Sequence, residues 1–254
     1  MNKLQEIIHH KKTEVEKRKT GTPVPSLITR SLYSREPLSF IGHLRNAADG
    51  FGIIAEFKRK SPSAGIIRDD IDPVDTALQY VKNGAACISV LTDEKYFGGS
   101  LHDLERIRSA VTIPVLRKDF IIDEYQLEEA RAFGADAVLL IADVLSKTEL
   151  AHLHGKAGEL GLGSLVEVYD EAAIEKINFD IMKLIGINNR DLRTFTVDLN
   201  HTKRMIEKLP DDVFVISESG IRNPGDIALV KGFGANGALI GESLMRNSSM
   251  LTVI

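Results

Sequence analysis

The chain has 254 residues, a formal net charge of −4 and a sequence pI near 6.0. Hydrophobic residues make up 43% of the sequence and charged residues 27%, which is typical of a soluble globular protein. The mildly acidic balance without a basic stripe argues against nucleic acid as a partner. No apolar run approaches the roughly 20 residues that a membrane helix needs.

A charged segment opens the chain. Residues 2–19 have helical spacing, with Leu4, Ile7, Ile8 and Val15 loosely on one side. The segment lacks the apolar core and cleavage site of a signal peptide, and the single cysteine, Cys87, permits no internal disulfide. We therefore expect a cytoplasmic protein. Two positions remain open for this helix, since it could pack on the outside of the fold or cover one end of it as a lid.

Short apolar or β-branched runs recur eight times after residue 50. They lie at residues 53–57, 87–92, 114–120, 137–142, 164–168, 184–189, 213–219 and 237–243. Between most of them lie amphipathic segments of helical period, such as residues 123–134 and 146–161. The stretches KNGAACISVL, AFGADAVLLI and GFGANGALIG each predict a helix that ends at a glycine and is followed by a buried strand. Alternating strands and helices indicate a parallel sheet.

The number of these units favours a closed barrel over an open sheet. Eight strand and helix units fit a (β/α)8 barrel of about 250 residues. An open, doubly wound sheet would carry a glycine-rich phosphate loop after its first strand, whereas the turn here is KRKSPSAG. We therefore predict an α/β fold and a single domain over residues 1–254. Residues 51–254 form a TIM barrel, and residues 1–50 form an N-terminal helical extension.

Polar residues concentrate where the predicted strands end, which is where a barrel of this type carries its active site. They are Glu56, Lys58, Lys118, Glu167, Asn188, Arg190, Glu218 and Ser219. Side chains two apart share a strand face, so Glu56 should face the same way as Lys58, and Lys118 the same way as Phe120. One such pair could simply close the barrel as an ion pair. Acids and amines from several strands together are what proton-transfer chemistry requires. Glu218 could equally be a supporting partner, so it receives no catalytic assignment.

Two glycines and a serine predict a phosphate site at the same mouth. Gly220 and Gly241 follow strands seven and eight and precede helix starts, where backbone N–H groups can cradle a phosphate. Ser61 lies in the loop after strand one, which adjoins strand eight in a closed barrel. One glycine after a strand can serve the turn alone. Two of them on consecutive strands beside Ser61 favour phosphate binding.

The histidines and the cysteine suggest neither a metal site nor a nucleophile. All seven histidines fall in helical or linking segments, and none lies at metal-ligand spacing at a strand end. His152 and His154 lie within a helical pattern, so we expect surface positions for them. Cys87 is interpreted as a small core residue, and no serine lies in a G-x-S-x-G motif. We expect no metal and no other cofactor.

The strand-end motifs, taken in order, resemble those of a known enzyme family. They are IIAEFKRKSPS, LTDEKYFGGS, LRKDFIIDEYQ, LVEVYD, IGINNRDL, SESGI and LIGESLMR. In order and spacing they resemble indole-3-glycerol phosphate synthase over roughly residues 50–246. The resemblance implies a carbon–carbon lyase of tryptophan biosynthesis. Such an enzyme closes the indole ring of 1-(2-carboxyphenylamino)-1-deoxyribulose 5-phosphate with loss of carbon dioxide and water. We expect a monomer that acts on this small phosphorylated molecule.

The resemblance also implies catalytic roles. Lys118 would be the general acid for ring closure, and Glu167 the general base. Lys58 would bind the substrate carboxylate or protonate the departing hydroxyl, and the family does not settle which lysine acts in which step. Glu56 would hold a lysine in place and tune its pKa. Asn188 would orient the substrate hydroxyl or Glu167.

Further implied contacts concern the rest of the substrate. Phe97 and Phe120 would form an apolar slot for the anthranilate ring, and Ser219 would line the sugar pocket. The phosphate would bind Ser61, Gly220, Gly241 and the backbone of Glu242, with Arg190 as a further contact.

Two features depart from the family pattern. Position 242 is a glutamate where some relatives have serine, so we expect its carboxylate to point away and only its N–H to serve. The chain closes with LMRNSSMLTVI, which predicts a final helix of barely two turns and bears on stability more than on chemistry.

Two other functions remain open. A sibling phosphosugar barrel such as phosphoribosylanthranilate isomerase would use a cysteine and an aspartate, whereas Cys87 lies inside strand two. A barrel that binds a phosphorylated ligand without catalysis is the second alternative. Intact Lys118 and Glu167 argue against it.

Overall fold

Eight parallel strands close into a barrel in the computed structural model of the chain, which describes residues 3–191, 193–194, 196–248 and 250. The strands are β1 Gly52–Phe57, β2 Cys87–Leu91, β3 Val115–Lys118, β4 Ala137–Ile141, β5 Gly163–Val168, β6 Leu184–Asn188, β7 Phe214–Glu218 and β8 Gly237–Ile240. Each strand pairs with its neighbours in chain order, and β1 pairs with both β2 and β8. The predicted (β/α)8 barrel is confirmed, and the open sheet is excluded.

The first helices of the chain precede the barrel, and the later ones alternate with its strands. They are α1 Lys3–Gly21, α2 Val24–Ile28, α3 Phe40–Arg45, α4 Pro73–Lys82, α5 Glu94–Phe97, α6 Leu101–Ala110, α7 Glu124–Ala132, α8 Lys147–Glu159, α9 Glu171–Ile174, α10 Asn200–Ile206, α11 Pro224–Gly232 and α12 Glu242–Arg246. A short hairpin, Lys60–Ser61 with Gly65–Ile66, follows β1. The predicted final helix overlaps α12, and residues 249 and 251–254 of that predicted segment lie outside the described residues.

Glycines end three of the helices as the sequence indicated. Gly84, Gly134 and Gly234 have φ values of 93°, 84° and 100°, and each lies just beyond a helix and before a strand. A side chain is strained in this left-handed region, which is why glycine serves there. The repeated motif therefore marks the turn that returns the chain to the barrel.

The barrel strands are buried on both faces, as expected for parallel strands covered by helices. Inside the barrel, Ile54, Leu116, Leu139, Leu165 and Ile216 belong to one apolar cluster. The opposite strand faces pack with the surrounding helices in a second cluster. Burial of each aliphatic side chain stabilises the fold by about 1.5–3 kcal/mol. The packed interior thus supports a rigid ring of strand ends.

Helix α1 both packs outside the barrel and reaches its mouth. Val15 is buried with Tyr125 of α7, whose hydroxyl donates to the carbonyl of Thr22 at 2.7 Å. At the other end of the helix, Leu4 and Ile7 line the cavity at the mouth. Neither of the two expected positions describes the helix alone. In the described part of the chain, no helix is both long enough and apolar enough to cross a membrane.

Candidate active site

A cavity of about 800 Å³ opens at the carboxyl-terminal ends of the barrel strands. Its volume lies in the range of small-molecule sites. All of the predicted site residues line it: Glu56, Lys58, Ser61, Phe97, Lys118, Phe120, Glu167, Asn188, Arg190, Ser219, Gly220, Gly241 and Glu242. Both lysines therefore face the same mouth. Adjacent parallel strands bring together residues that are far apart in the sequence.

The end of β1 carries the first lysine and glutamate pair. Lys58 Nζ lies 2.5 Å from Glu56 Oε1, and the Glu56 side chain is buried. Gly241, which follows β8, leaves room for this pair. A methyl group at Gly241 would overlap Glu56 Oε1 and lie 3.0 Å from Lys58 Nζ. The glycine thus has a steric reason in addition to the predicted phosphate contact.

Gly241→Ala is expected to displace the Glu56–Lys58 pair, raising KM and lowering kcat while the fold survives. The backbone at Gly241 has φ −115°, so steric overlap with the pair is the cause rather than backbone strain. Steady-state kinetics and thermal unfolding would measure the two effects. The matched control is Gly155→Ala in α8, where an added methyl group meets nothing within 4 Å. Unchanged kinetics in Gly241→Ala would contradict the steric argument.

The second lysine lies among acids on β5 and β7. Lys118 Nζ is 3.0 Å from Glu167 Oε2, and the Asn188 amide donates to Glu167 Oε1 at 3.0 Å. Asn188 therefore holds the Glu167 carboxylate so that its other oxygen faces the lysine. Burial would lower the pKa of Lys118, but the charges of Glu167, Glu218 and Glu56 outweigh burial and raise it. The amine is an ammonium ion at neutral pH.

Glu218 at the end of β7 is a third acid in this group, which the sequence reasoning left without a role. It is 2% exposed, and its carboxylate lies 3.6 Å from Lys118 Nζ. Gly186 on β6 makes room for it, because a methyl group there would overlap Glu218 Oε1. Burial, and next the charge of Glu167, raise the pKa of Glu218 well above its usual range, although Lys118 opposes the shift. The sequence signal was an acid at the end of a largely apolar strand.

Glu218→Gln is expected to make stability less dependent on pH. The pKa of Glu218 is raised on folding, so its protonated form stabilises the fold below the unfolded pKa near 4.5. That contribution is lost as the pH rises through the folded pKa. As the pH rises above about 4.5, the melting temperature of native protein should therefore fall relative to that of Glu218→Gln. Exposed Glu207→Gln is the control, and a Glu218→Gln curve parallel to the native one would contradict the expectation.

The turn after β7 has an unusual backbone. Ser219 and Gly220 have φ values of 67° and 86°, both in the left-handed region. A side chain at Gly220 would overlap Val197, so both conformation and space favour glycine there. Buried Asn189 holds the turn, since its amide donates to the Ser219 carbonyl at 3.2 Å. Asn189 also accepts from the backbone N–H of Thr202 at 3.1 Å. Sequence reasoning missed Asn189 because its amide faces away from the cavity.

The remaining predicted phosphate contacts line the same cavity as this turn. Ser61 Oγ accepts a hydrogen bond from Ala64 N at 3.1 Å within the loop after β1. Burial lowers the pKa of Arg190, although the charge of Glu242 opposes the shift. Glu242 Oε1 accepts from Arg246 at 3.0 Å on the same helix. Its carboxylate is thus charge-paired with Arg246.

Two aromatic rings lie on the β2 and β3 side of the cavity. The ring centroids of Phe97 and Phe120 are 6.1 Å apart, with the planes inclined at 43°. This spacing is within the range of favourable aromatic pairs. The two rings therefore present an apolar wall to the cavity.

The histidines and the cysteine lie away from this arrangement. His152 is exposed and 3.3 Å from Glu124, and Cys87 is buried in the barrel interior. Within the described ranges, no cluster of three or more histidine, cysteine, aspartate or glutamate residues is arranged to hold a metal ion.

Comparisons with known proteins agree with the motif resemblance. The model of the indole-3-glycerol phosphate synthase family matches residues 4–254. The Salinibacter ruber protein of this name is 48% identical over 97% of this chain and 91% of its own length. The Rhodopirellula baltica protein is 46% identical over 97% of this chain and 95% of its own length. The Acidithiobacillus ferrooxidans protein of the same name is 45% identical over 96% and 94%. A family match over nearly the whole chain, with relatives above 40% identity, means that this chain belongs to the indole-3-glycerol phosphate synthase family.

Proposed function

We propose that the chain is an indole-3-glycerol phosphate synthase that acts on 1-(2-carboxyphenylamino)-1-deoxyribulose 5-phosphate in tryptophan biosynthesis. The observation that carries the proposal is a pair of lysine–glutamate contacts facing one cavity, Lys58 with Glu56 and Lys118 with Glu167. The reaction forms one carbon–carbon bond and releases carbon dioxide and water. It requires an acid, a base and a cation near the substrate carboxylate.

Lys118 acts as the general acid in ring closure. Its ammonium group donates a proton to the ribulose carbonyl oxygen while the ring carbon that bears the carboxylate attacks the carbonyl carbon. The carbonyl oxygen becomes a hydroxyl as the new bond forms. Carbon dioxide then leaves, and its bonding electrons restore the aromatic ring. Burial would lower the pKa of Lys118, but the neighbouring carboxylates, Glu167 foremost, outweigh burial, raise the pKa and keep the ammonium form available.

Loss of water follows decarboxylation. The substrate nitrogen lone pair assists departure of the hydroxyl, which needs a proton. Glu167 then removes a proton from the carbon next to nitrogen, which completes the indole double bond. Lys58 protonates the departing hydroxyl or pairs with the substrate carboxylate in the ground state. Glu56 holds Lys58, and Asn188 holds Glu167.

The two ends of the substrate bind on opposite sides of the mouth. The phosphate takes the backbone N–H groups at Gly220, Gly241 and Glu242, with Ser61 and Arg190 beside them, where barrels commonly bind phosphate. The anthranilate ring lies in the apolar slot formed by two phenylalanines, Phe97 and Phe120, and Ser219 lines the sugar pocket between the two ends.

Adding the substrate to purified protein tests the proposal. The chain contains no tryptophan, so indole fluorescence that develops during the reaction comes from product alone. We expect this fluorescence to appear together with one equivalent of carbon dioxide. Failure to form product while inorganic phosphate still binds would identify a barrel that binds without catalysis. Conversion of a phosphoribosylated anthranilate without carbon dioxide release would identify an isomerase.

The proposal extends to the organisation of the molecule. Residues 1–254 form one domain, with residues 1–50 as a helical extension of the barrel, and the chain works as a monomer in the cytoplasm. In support, all residues assigned to the reaction come from this chain and line one cavity. Light scattering on active protein would measure the oligomeric state, and activity confined to a dimer would contradict the proposal.

A further inference from the structure

A buried lysine on α1 contacts two buried aspartates at the edge of the mouth. The Lys11 side chain is 1% exposed, and its Nζ lies 2.9 Å from Asp93 Oδ2 and 2.9 Å from Asp119 Oδ1. Glu14 on the same helix lies 3.1 Å from this ammonium group. Burying a charge is unfavourable unless it is closely paired, so this arrangement constrains geometry strongly. Lys11 therefore joins the N-terminal extension to two loops of the barrel.

Each aspartate in turn is attached to a segment that carries one of the cavity phenylalanines. Asp93 precedes α5 and accepts a hydrogen bond from Tyr96 N at 2.7 Å, one residue before Phe97. Asp119 follows β3 and accepts from Phe120 N at 2.8 Å. The position of each carboxylate is thus coupled to the backbone from which a ring projects.

The charges explain why the lysine matters for this spacing. Asp93 and Asp119 are both buried, so their carboxylates would repel each other without a cation between them. Burial would lower the pKa of Lys11, but Asp119, Asp93 and Glu14 outweigh burial and raise it. Burial would raise the pKa of Asp119, whereas Lys11 and Arg117 lower it. Lys11 and Asp119 therefore both stay ionised at neutral pH.

We propose that Lys11 is a positioning residue that sets the distance between Phe97 and Phe120, and so the width of the slot for the aromatic ring. The inference rests on the proposed function in one respect, namely that this slot receives the anthranilate ring. Helix α1 then contributes to ring recognition through a residue that lies behind the slot and outside the proposed reaction chemistry.

The proposal separates the two ends of the cavity. Lys11 acts on the loops after β2 and β3, whereas the proposed phosphate contacts follow β6, β7, β8 and β1. Loss of the bridge should therefore change ring binding and leave phosphate binding unchanged. A residue that merely stabilises the whole fold would affect both ends alike.

The experiment compares Lys11→Met with Lys12→Met, its exposed neighbour on the same helix. The probes are indole, followed by its own fluorescence because the chain lacks tryptophan, and inorganic phosphate as a competitive inhibitor. Loss of a well-placed aromatic contact lowers affinity by up to about tenfold. Lys11→Met should therefore weaken indole binding by about that factor. The phosphate inhibition constant should not change, and Lys12→Met should match native protein on both probes. Equal loss on both probes, or on neither, would overturn the proposal.

Lys11→Arg covers the case in which Lys11→Met does not fold. Arginine keeps the charge, but its planar guanidinium cannot occupy the position of a compact ammonium between two carboxylates. We expect it to fold and to weaken indole binding several-fold while phosphate inhibition stays normal. Normal indole affinity in this variant would overturn the proposal. Turnover by native protein tests the proposed function separately, since it does not depend on how Lys11 variants bind indole.

Discussion

Lys118→Ala is expected to lower kcat by about 10²–10⁴-fold, the usual contribution of a general acid. The ammonium group donates its proton in the transition state of ring closure, so removing it affects turnover far more than substrate binding. The change also removes the positive charge that lies 3.0 Å from Glu167 and 3.6 Å from Glu218. We therefore expect the pH dependence of kcat to change as well.

Lys58→Ala is the informative comparison for this prediction. Lys58 lies where it can pair with the substrate carboxylate before reaction, so its loss should raise KM as well as lower kcat. Lys60→Ala serves as the control, because Lys60 is in the same loop but its ammonium donates to the carbonyl of Lys95 at 2.8 Å. Single-turnover kinetics would separate chemistry from binding. If Lys118→Ala keeps near-normal kcat while Lys58→Ala is inactive with unaltered affinity, the two lysine roles must be exchanged.

Glu167→Gln should slow the proton transfers that follow ring closure by a comparable factor, about 10²–10⁴-fold. Glutamine has nearly the same shape, and its carbonyl oxygen can still accept the hydrogen bond that Asn188 donates to Glu167. The change removes the base and the charge beside Lys118, 3.0 Å away. Ring closure should then outpace loss of water, so an intermediate should accumulate in rapid-quench experiments.

Two further variants sharpen the second prediction. Asn188→Ala keeps the base but removes the hydrogen bond that orients the Glu167 carboxylate, so it should reduce kcat less than Glu167→Gln does. The double variant should be little worse than Glu167→Gln alone, because both changes act on one group. Exposed Glu207→Gln controls for loss of a carboxylate. Normal product formation in Glu167→Gln, without an intermediate, would assign the base to another residue.

The accuracy of the strand prediction has a physical explanation. A strand such as β4 is covered on both faces, so burial makes it a continuous apolar run. The turns between helix and strand need a residue with positive φ, which favours glycine, as at Gly134 and Gly234. These requirements are local to short segments, so the sequence displays them directly. The strand-end residues could then be placed at one mouth, because parallel strands all end on the same side of the barrel.

Residues whose importance depends on distant neighbours were less visible. The need for glycine at Gly186 becomes clear only in the fold, where β7 brings Glu218 beside it. The two residues are 32 positions apart in the sequence. Asn189 appears as an ordinary polar residue until its amide is found on the Ser219 carbonyl. Lys11 lies in a highly charged helix, where a lysine is expected to face solvent. Nothing in the sequence alone indicates that it forms a buried ion pair.

By itself, then, the sequence determined the barrel, the mouth that carries the acids and lysines, and the family, because each follows from local burial patterns and ordered motifs. Only the tertiary structure decided which charges pair, that Glu218 joins Lys118 and that Lys11 bridges Asp93 and Asp119. The physical reason is that the energy of a charge depends on its burial and on partners within a few ångströms. Such partners come from segments up to about a hundred residues apart, and chain folding alone brings them together.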